Sequence, residues 1–416
     1  MFLHRPNRRS IIWPARPGLR PLLPALMVAG LLLAGCGGAG GGGGESRPKT
    51  VKIGVIAPLT GDLSAIGVGI RNGVDLAIRQ ANERGRIPGW EIVLDAQDDG
   101  GKPDVGAQVA AKLASDRQVA GVVGTYNSSV AQQVQPILDR ANIVMISPGN
   151  TNPTLTQGED LANPGRPYKT YFRVVTTDAI QGPFAANYAS RDLGKRTVAV
   201  IHDKKVYGQG IAEAFVRQFE QNGGSVLTTE TINPGDKDFS AVLSKVKSLN
   251  PQLIFYGGEY PEGSLISSQA DQQGIGAPIM GGDGIYDPTY VQTAGPAAEG
   301  DLATSIGAPI RTLPSGQEFV AAYEEAGYTD DFGAFGAYAY DAANVIIEAL
   351  AKVLPETDQI SDSTRQAVVD AVAQTDLSGV TGPVRFDSFG DTTTKVITVY
   401  RVSGGTWQPV KTGELT

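Results

Sequence analysis

Val51-Lys52-Ile53-Gly54-Val55-Ile56-Ala57 is a short apolar run of strand length. It is followed by Val74, Ala77, Ile78 and Ala81 at the i, i+3, i+4, i+7 spacing of one helix face. The alternation continues outward from this pair. Residues 91–96, 119–124 and 143–146 read as strands, and 105–114 and 130–140 as the helices between them. Strands separated by helices of ten or more residues mean βαβ units on a parallel sheet. The pattern then restarts, with strands at 197–201, 225–231, 253–256 and 278–280 and helices at 210–222, 239–248 and 265–273. A further helical stretch includes 338–351, with Ala342, Val345, Ile346 and Ala349 on one face, and 364–375; residues 396–402 read as a terminal strand. Two successive α/β halves of similar length predict two doubly wound parallel-sheet lobes. The roughly 365 residues from Lys52 onward are too many for one compact core.

What precedes this region is of another kind. Arg5, Arg8, Arg9, Arg16 and Arg20 stand before an apolar stretch, residues 22–34, in the order of a secretory signal, and the run is too short to span a bilayer as a helix. It ends in Leu33-Ala34-Gly35-Cys36, which resembles a bacterial lipobox whose thiol carries a diacylglyceryl group. Cys36 is the only cysteine, so no second thiol exists to bridge it. Residues 1–35 are therefore expected to be a signal peptide. Residues 36–50, opening on a glycine tract, are expected to be a lipid-anchored flexible linker with a reach of about 20 Å. Without the leader the formal charge moves from −8 to −13, which argues against a nucleic-acid or anionic-membrane surface as partner.

In open α/β sheets ligands sit where the carboxyl ends of strands meet loops and helix starts. Three loops satisfy that rule. In Thr125-Tyr126-Asn127-Ser128-Ser129, Ser128 or Ser129 is placed as an N-cap, and hydroxyls with free N–H groups suit a carboxylate. Ser147-Pro148-Gly149-Asn150-Thr151 offers a second hydroxyl with accessible backbone, and Gly281-Gly282-Asp283-Gly284 puts one acid among glycines.

Together with Asp98-Asp99, Gln181-Gly182-Pro183, His202-Asp203-Lys204-Lys205-Val206-Tyr207-Gly208, Gly235-Asp236-Lys237-Asp238-Phe239-Ser240 and Tyr256-Gly257-Gly258, these loops resemble the leucine/isoleucine/valine-binding family. Its members are the receptor components of amino-acid ABC importers. The resemblance implies a fold of two lobes joined by a hinge, with residues 51–177 and 307–391 in the first lobe and 178–306 and 392–412 in the second. It implies an extracytoplasmic monomer that holds an amino acid, serves a permease and ATPase, and needs no cofactor. Ser128, Gly149 and Thr151 look like the residues that hold the amino-acid backbone, and Asp283 like the acid that pairs with the α-ammonium. Tyr207 looks like the aromatic that closes over the ligand, while Tyr126 lies where a pocket residue is expected. The departures are Gly101 and Asn127 in place of a disulfide, Ile66 in place of an aromatic that packs on the ligand, and Glu259 in place of the aromatic after Tyr-Gly-Gly. A carboxylate beside an aliphatic side chain loses hydration without gaining a partner. Glu259 is thus expected to face a polar or cationic group or solvent, and the ligand range to widen toward polar or basic amino acids.

Two other classes compete. An enzyme has little support: after the leader His202 is the only histidine, no thiol remains in the folded region, and Asp98-Asp99 reads as a solvated turn. A ligand sensor reporting to a signalling partner would share every motif named above.

Overall fold

The computed structural model describes residues 48–415; Cys36 and the predicted leader lie outside them. The first sheet contains β1 (Lys49–Ala57), β2 (Trp90–Asp98), β3 (Val119–Gly124), β4 (Val144–Ser147) and β5 (Tyr171–Arg173), in the order β2-β1-β3-β4-β5 and parallel throughout. α1 (Ser64–Glu83), α2 (Pro103–Ser115), α3 (Ser128–Arg140) and the one-turn α4 (Thr154–Gln157) connect these strands. Both faces are covered, which explains why β3 is apolar at every position rather than alternating. Its neighbouring residues feed different cores: Val122 packs with Ala110, Leu113 and Val130 of α2 and α3, and Val123 with Ile70 and Val74 of α1.

The second sheet is built around β6 (Thr197–His202), β7 (Ser225–Thr231), β8 (Leu253–Gly257), β9 (Ile279–Gly281) and β10 (Leu302–Ile306). α5 (Asp178–Asn187), α6 (Val206–Gln221), α7 (Ser240–Leu249), α8 (Tyr260–Gln272) and α9 (Pro288–Ala294) accompany them. α10 (Pro314–Glu325), α11 (Gly336–Val353) and α12 (Asp362–Ala373) follow, and α11 packs on α1 and β3 of the first sheet. A small ribbon of β11 (Leu377–Gly379) and β12 (Gly382–Val384) precedes a final hairpin, β13 (Val396–Ser403) and β14 (Thr406–Glu414). The seven-stranded order is β14-β13-β10-β9-β8-β6-β7. Inside it, the Phe215 and Phe255 rings stack at 3.9 Å.

Where the sequence reading assigns elements the alternation matches; it assigns none at β5, α5, α9, β10 or the β11–β12 ribbon. Residues 396–402 are not a terminal strand: β13 runs antiparallel to β10 and turns back into β14. Pro409 and Gly413 obscured β14, but it lies at the sheet edge, where proline is tolerated. β5 is only three residues long, and β10 carries Thr304 and Ser305, which are buried despite being polar. Thr304 Oγ1 is satisfied by donating to Gln181 Oε1 at 3.0 Å.

One buried ion pair organises the loop after β4. Arg173 is fully buried; its Nε lies 2.5 Å from Asp391 Oδ1, and its Nη1 donates to the carbonyls of Asn150 and Asn152 at 3.0 and 2.8 Å. These bonds hold the 147–152 segment in a single conformation beside the end of β3.

Candidate functional site

The carboxyl ends of β3, β4, β8 and β9 converge on one cavity, lined by Tyr126, Asn127, Gly149, Tyr207, Glu259 and Asp283. Its free volume is only about 10 Å³, roughly the room one water needs. A larger cavity of about 520 Å³ lies beside Tyr286, Tyr338, Tyr400 and Trp407, but its only charged lining groups, Arg311 and Asp331, are exposed. Chemistry rather than size distinguishes the smaller one, which encloses two acids.

Asp283 opens a short turn directly after β9 and is 2 % exposed. Its Oδ1 accepts from Gln181 Nε2 at 2.9 Å and from the Tyr207 hydroxyl at 2.8 Å, and its N–H donates to Gln181 Oε1 at 3.1 Å. Tyr207 Oη in turn accepts from the Gly284 N–H at 2.9 Å. All these partners are neutral, and among the described residues no cation pairs with Asp283. Burial pushes its carboxyl up to about 6, against the hydrogen bonds from Gln181 and Tyr207 that pull it down. Asp178, fully buried on α5, is pushed well above the ordinary carboxylate range by burial and by Asp283.

Facing this acid are the loops after β3 and β4. Ser147 Oγ donates to the Thr125 carbonyl at 2.9 Å, and Asn150 Nδ2 to the Tyr126 carbonyl at 2.7 Å, so the two loops are tied together. Ser128 is buried in the first turn of α3, and Gly149 lines the cavity. Thr151 is fully buried; its carbonyl accepts from the Asp178 N–H at 2.8 Å, and its hydroxyl lies near enough to the Asp178 carboxyl to lower it slightly but makes no well-formed hydrogen bond. The Tyr126 ring sits edge-on to Phe335 at 5.1 Å.

Glu259 lies in a different environment. It is 3 % exposed, its Oε2 is 2.6 Å from Lys205 Nζ, and Asn127 Nδ2 donates to its Oε1. Burial would lower the Lys205 ammonium, but Glu259 and Asp203 outweigh it and hold that group above its ordinary value. Gly208 and Gly257 let the start of α6, which carries Lys205 at its N-cap, press against the end of β8: a Cβ at Gly257 would lie 2.1 Å from the Gly208 carbonyl oxygen.

Several further contacts join the loops of the two sheets. Val206 N–H donates to Ser129 Oγ at 3.1 Å, Asn152 Nδ2 to the Val206 carbonyl at 2.8 Å, and the Tyr260 hydroxyl to the Asp62 carbonyl. The cavity is thus shut by direct contacts around it.

The structure brings Tyr126, Gly149, Tyr207, Glu259 and Asp283 to one cavity wall, with Ser128 and Thr151 buried in the adjoining loops. It separates Ile66, which is buried on α1 within the hydrophobic core and is not among the lining residues. Neither Ser128 nor Ser129 is the N-cap: Asn127 holds that position, and its side chain reaches Glu259 instead of the helix. Asp99 is no solvated turn residue either. It is fully buried, its Oδ1 accepts from Gly101 N–H at 2.7 Å, and burial pushes its carboxyl up to about 7. Sequence reasoning missed Lys205, Gln181, Asp178 and Phe335. Two of them stand inside quoted strings, but nothing local marks which side chain of Lys204-Lys205 turns inward.

The fold agrees with what known proteins show. The Periplasmic binding protein family pattern matches residues 50–406. The chain belongs to that family. It is similar to Leu/Ile/Val-binding protein homolog 2 of Brucella abortus (strain 2308), 34 % identical over 341 residues that cover 82 % of this chain and 87 % of the relative. It also resembles the leucine-, isoleucine-, valine-, threonine- and alanine-binding protein of Pseudomonas aeruginosa, 33 % identical over 351 residues, 84 % of this chain and 89 % of that one. Among solved structures, the branched-chain amino acid transporter substrate-binding protein LivJ of Streptococcus pneumoniae, in complex with isoleucine, superposes with a TM-score of 0.78 at 28 % identity, covering 88 % of this chain and 100 % of that one. These relatives place the chain in the leucine/isoleucine/valine-binding branch of periplasmic binding proteins.

Proposed function

We propose that this periplasmic binding protein is the amino-acid receptor of an ABC importer, held outside the cell membrane by lipid on Cys36 and delivering its ligand to a permease and ATPase. The observation that carries the reading is the state of Asp283: a buried carboxylate with neutral partners only, in a cavity lined by Gly149 and Asn127, beside the buried Thr151 and the start of α3. A zwitterion supplies what both sides lack. Its ammonium pairs with Asp283, while Ser128, Thr151 and the free N–H groups at the start of α3 take its carboxylate. Because the cavity has room for about one water, entry requires the two lobes to part, and closure then surrounds the ligand with contacts from both. Branched-chain amino acids and a broader neutral, polar or basic set are the candidates.

Titration calorimetry with the twenty amino acids tests this. At least one should bind, and Asp283→Ala should weaken it by two orders of magnitude or more, because removing one partner of a buried pair typically costs about 3 to 5 kcal/mol. An unchanged affinity in that variant would rule the clamp out. The anchor is tested separately by the fate of Cys36→Ala, which should move the protein from the membrane fraction to the soluble one.

A further inference from the structure

The part of the cavity beyond Asp283 is bounded by Tyr126, Asn127 and Glu259, and apart from the Tyr126 hydroxyl its uncommitted polar groups are mainly acceptors. The Asn127 amide orientation follows from chemistry, since only its NH2 group can donate to a carboxylate; its Oδ1 is left buried without a partner. Glu259 uses one contact of Oε1 on Asn127 and one of Oε2 on Lys205, whereas an ionised carboxylate offers about four lone-pair directions. Acceptor positions on Glu259 therefore remain open, while the Lys205 ammonium is engaged by Glu259, with Asp203 Oδ2 at 3.9 Å, and does not itself line the cavity. A ligand side chain entering here must donate hydrogen bonds to avoid stranding buried acceptors.

Charge narrows the class further. A second cation beside Glu259 would meet the Lys205 ammonium, which already neutralises that acid. The other nearby acids stand outside the cavity. Asp99 and Asp203 are both pushed up to about 7 by burial, and Glu262 Oε1 accepts from the Gly235 N–H at 2.7 Å; none of the three lines the cavity. An aliphatic group would desolvate Glu259 and Asn127 with nothing in return. On the reading of the protein as an amino-acid receptor, we infer that Glu259 and Asn127, with Lys205 as the residue that positions and neutralises Glu259, select amino acids whose side chains are uncharged hydrogen-bond donors, the amides and hydroxyls. A side-chain amide fits best, because its NH2 carries two hydrogens for the acceptor positions that Glu259 leaves open.

The test is calorimetry of the full mature protein with L-glutamine, L-asparagine, L-threonine and L-serine against L-leucine, L-lysine and L-glutamate. The best amide or hydroxyl ligand should bind at least tenfold more tightly than leucine or lysine. The double variant Lys205→Met/Glu259→Leu, which removes both members of the pair, should lose at least tenfold for that ligand and gain for leucine. If the double variant does not fold, Asn127→Ala should lower the glutamine-to-leucine affinity ratio at least fivefold. Leucine or lysine binding as tightly as every amide and hydroxyl would overturn this inference while leaving the receptor reading intact, as would variants with unchanged ratios. Binding of no amino acid at all would overturn both.

Discussion

Asp283 and Glu259 are both buried carboxylates on the same cavity, each placed just past the end of a neighbouring strand of the same sheet, and they are treated in opposite ways. Glu259 has its own cation in Lys205, so its charge is balanced within the protein. Asp283 has an amide and a phenol, enough to hold its geometry but not to balance its charge. An acid with a built-in counter-ion is a wall of the site. An acid without one is open to a ligand's charge, and that difference is the ground on which we propose Asp283 as the partner of a zwitterion's ammonium.

The largest expected effect breaks the balanced acid. Lys205→Met leaves Glu259 buried without a counter-ion and should destabilise the protein by about 3 to 5 kcal/mol in urea unfolding, whereas Lys205→Met/Glu259→Leu should recover most of the loss. A single variant as stable as wild type would show that the pair is dispensable.

The unbalanced acid should behave in the opposite sense. With a folded value of about 6 against an ordinary 3.8, Asp283 binds more protons in the native than in the unfolded protein between those values. Stability without ligand should therefore fall as pH rises from about 4 to about 6 and then level off, the cost reaching at most about 3 kcal/mol. Asp283→Asn should raise the ligand-free melting temperature at pH 7 while abolishing binding. A lowered melting temperature would mean that the acid is already compensated.

Next in size is the pH dependence of binding itself. Pairing with an ammonium needs ionised Asp283, so affinity should drop about tenfold for each pH unit below about 6 and stay flat above it. A profile level down to pH 4.5 would assign the ammonium elsewhere. The smallest effect concerns closure: Tyr260→Phe removes the hydroxyl donated to the Asp62 carbonyl and should cost about 1 kcal/mol of affinity, measured calorimetrically, with little change in unfolding.

These two acids also separate what was readable in advance from what was not. Asp283 stands out in the chain because an isolated acid among glycines after an apolar run has a mechanism attached to it, and the hydroxyls at Ser128 and Thr151 follow strand ends by the same logic. Glu259 was conspicuous as a departure from a family pattern, but its partner was hidden. Lys204 and Lys205 are adjacent; Lys204 takes a positive φ of 64° and reaches Asn233 at 2.8 Å, while Lys205 turns toward the cavity. Backbone direction at one residue made that choice, and no spacing rule expresses it. Ile66, placed by resemblance, is buried on α1 and does not line the cavity, although it shares a hydrophobic cluster with Tyr126 and Tyr207.

By itself, the sequence determined the alternation of strands and helices, the two parallel sheets and the loops that meet at their carboxyl ends, because hydrophobic period and turn residues are local properties. The tertiary structure decided the antiparallel hairpin that closes the second sheet, the burial of Asp99, and the pairing of Lys205 and Asn127 with Glu259. Each of these depends on which surfaces come to face one another across many residues of chain, and the energy of a buried charge is set by those neighbours rather than by the residue that carries it.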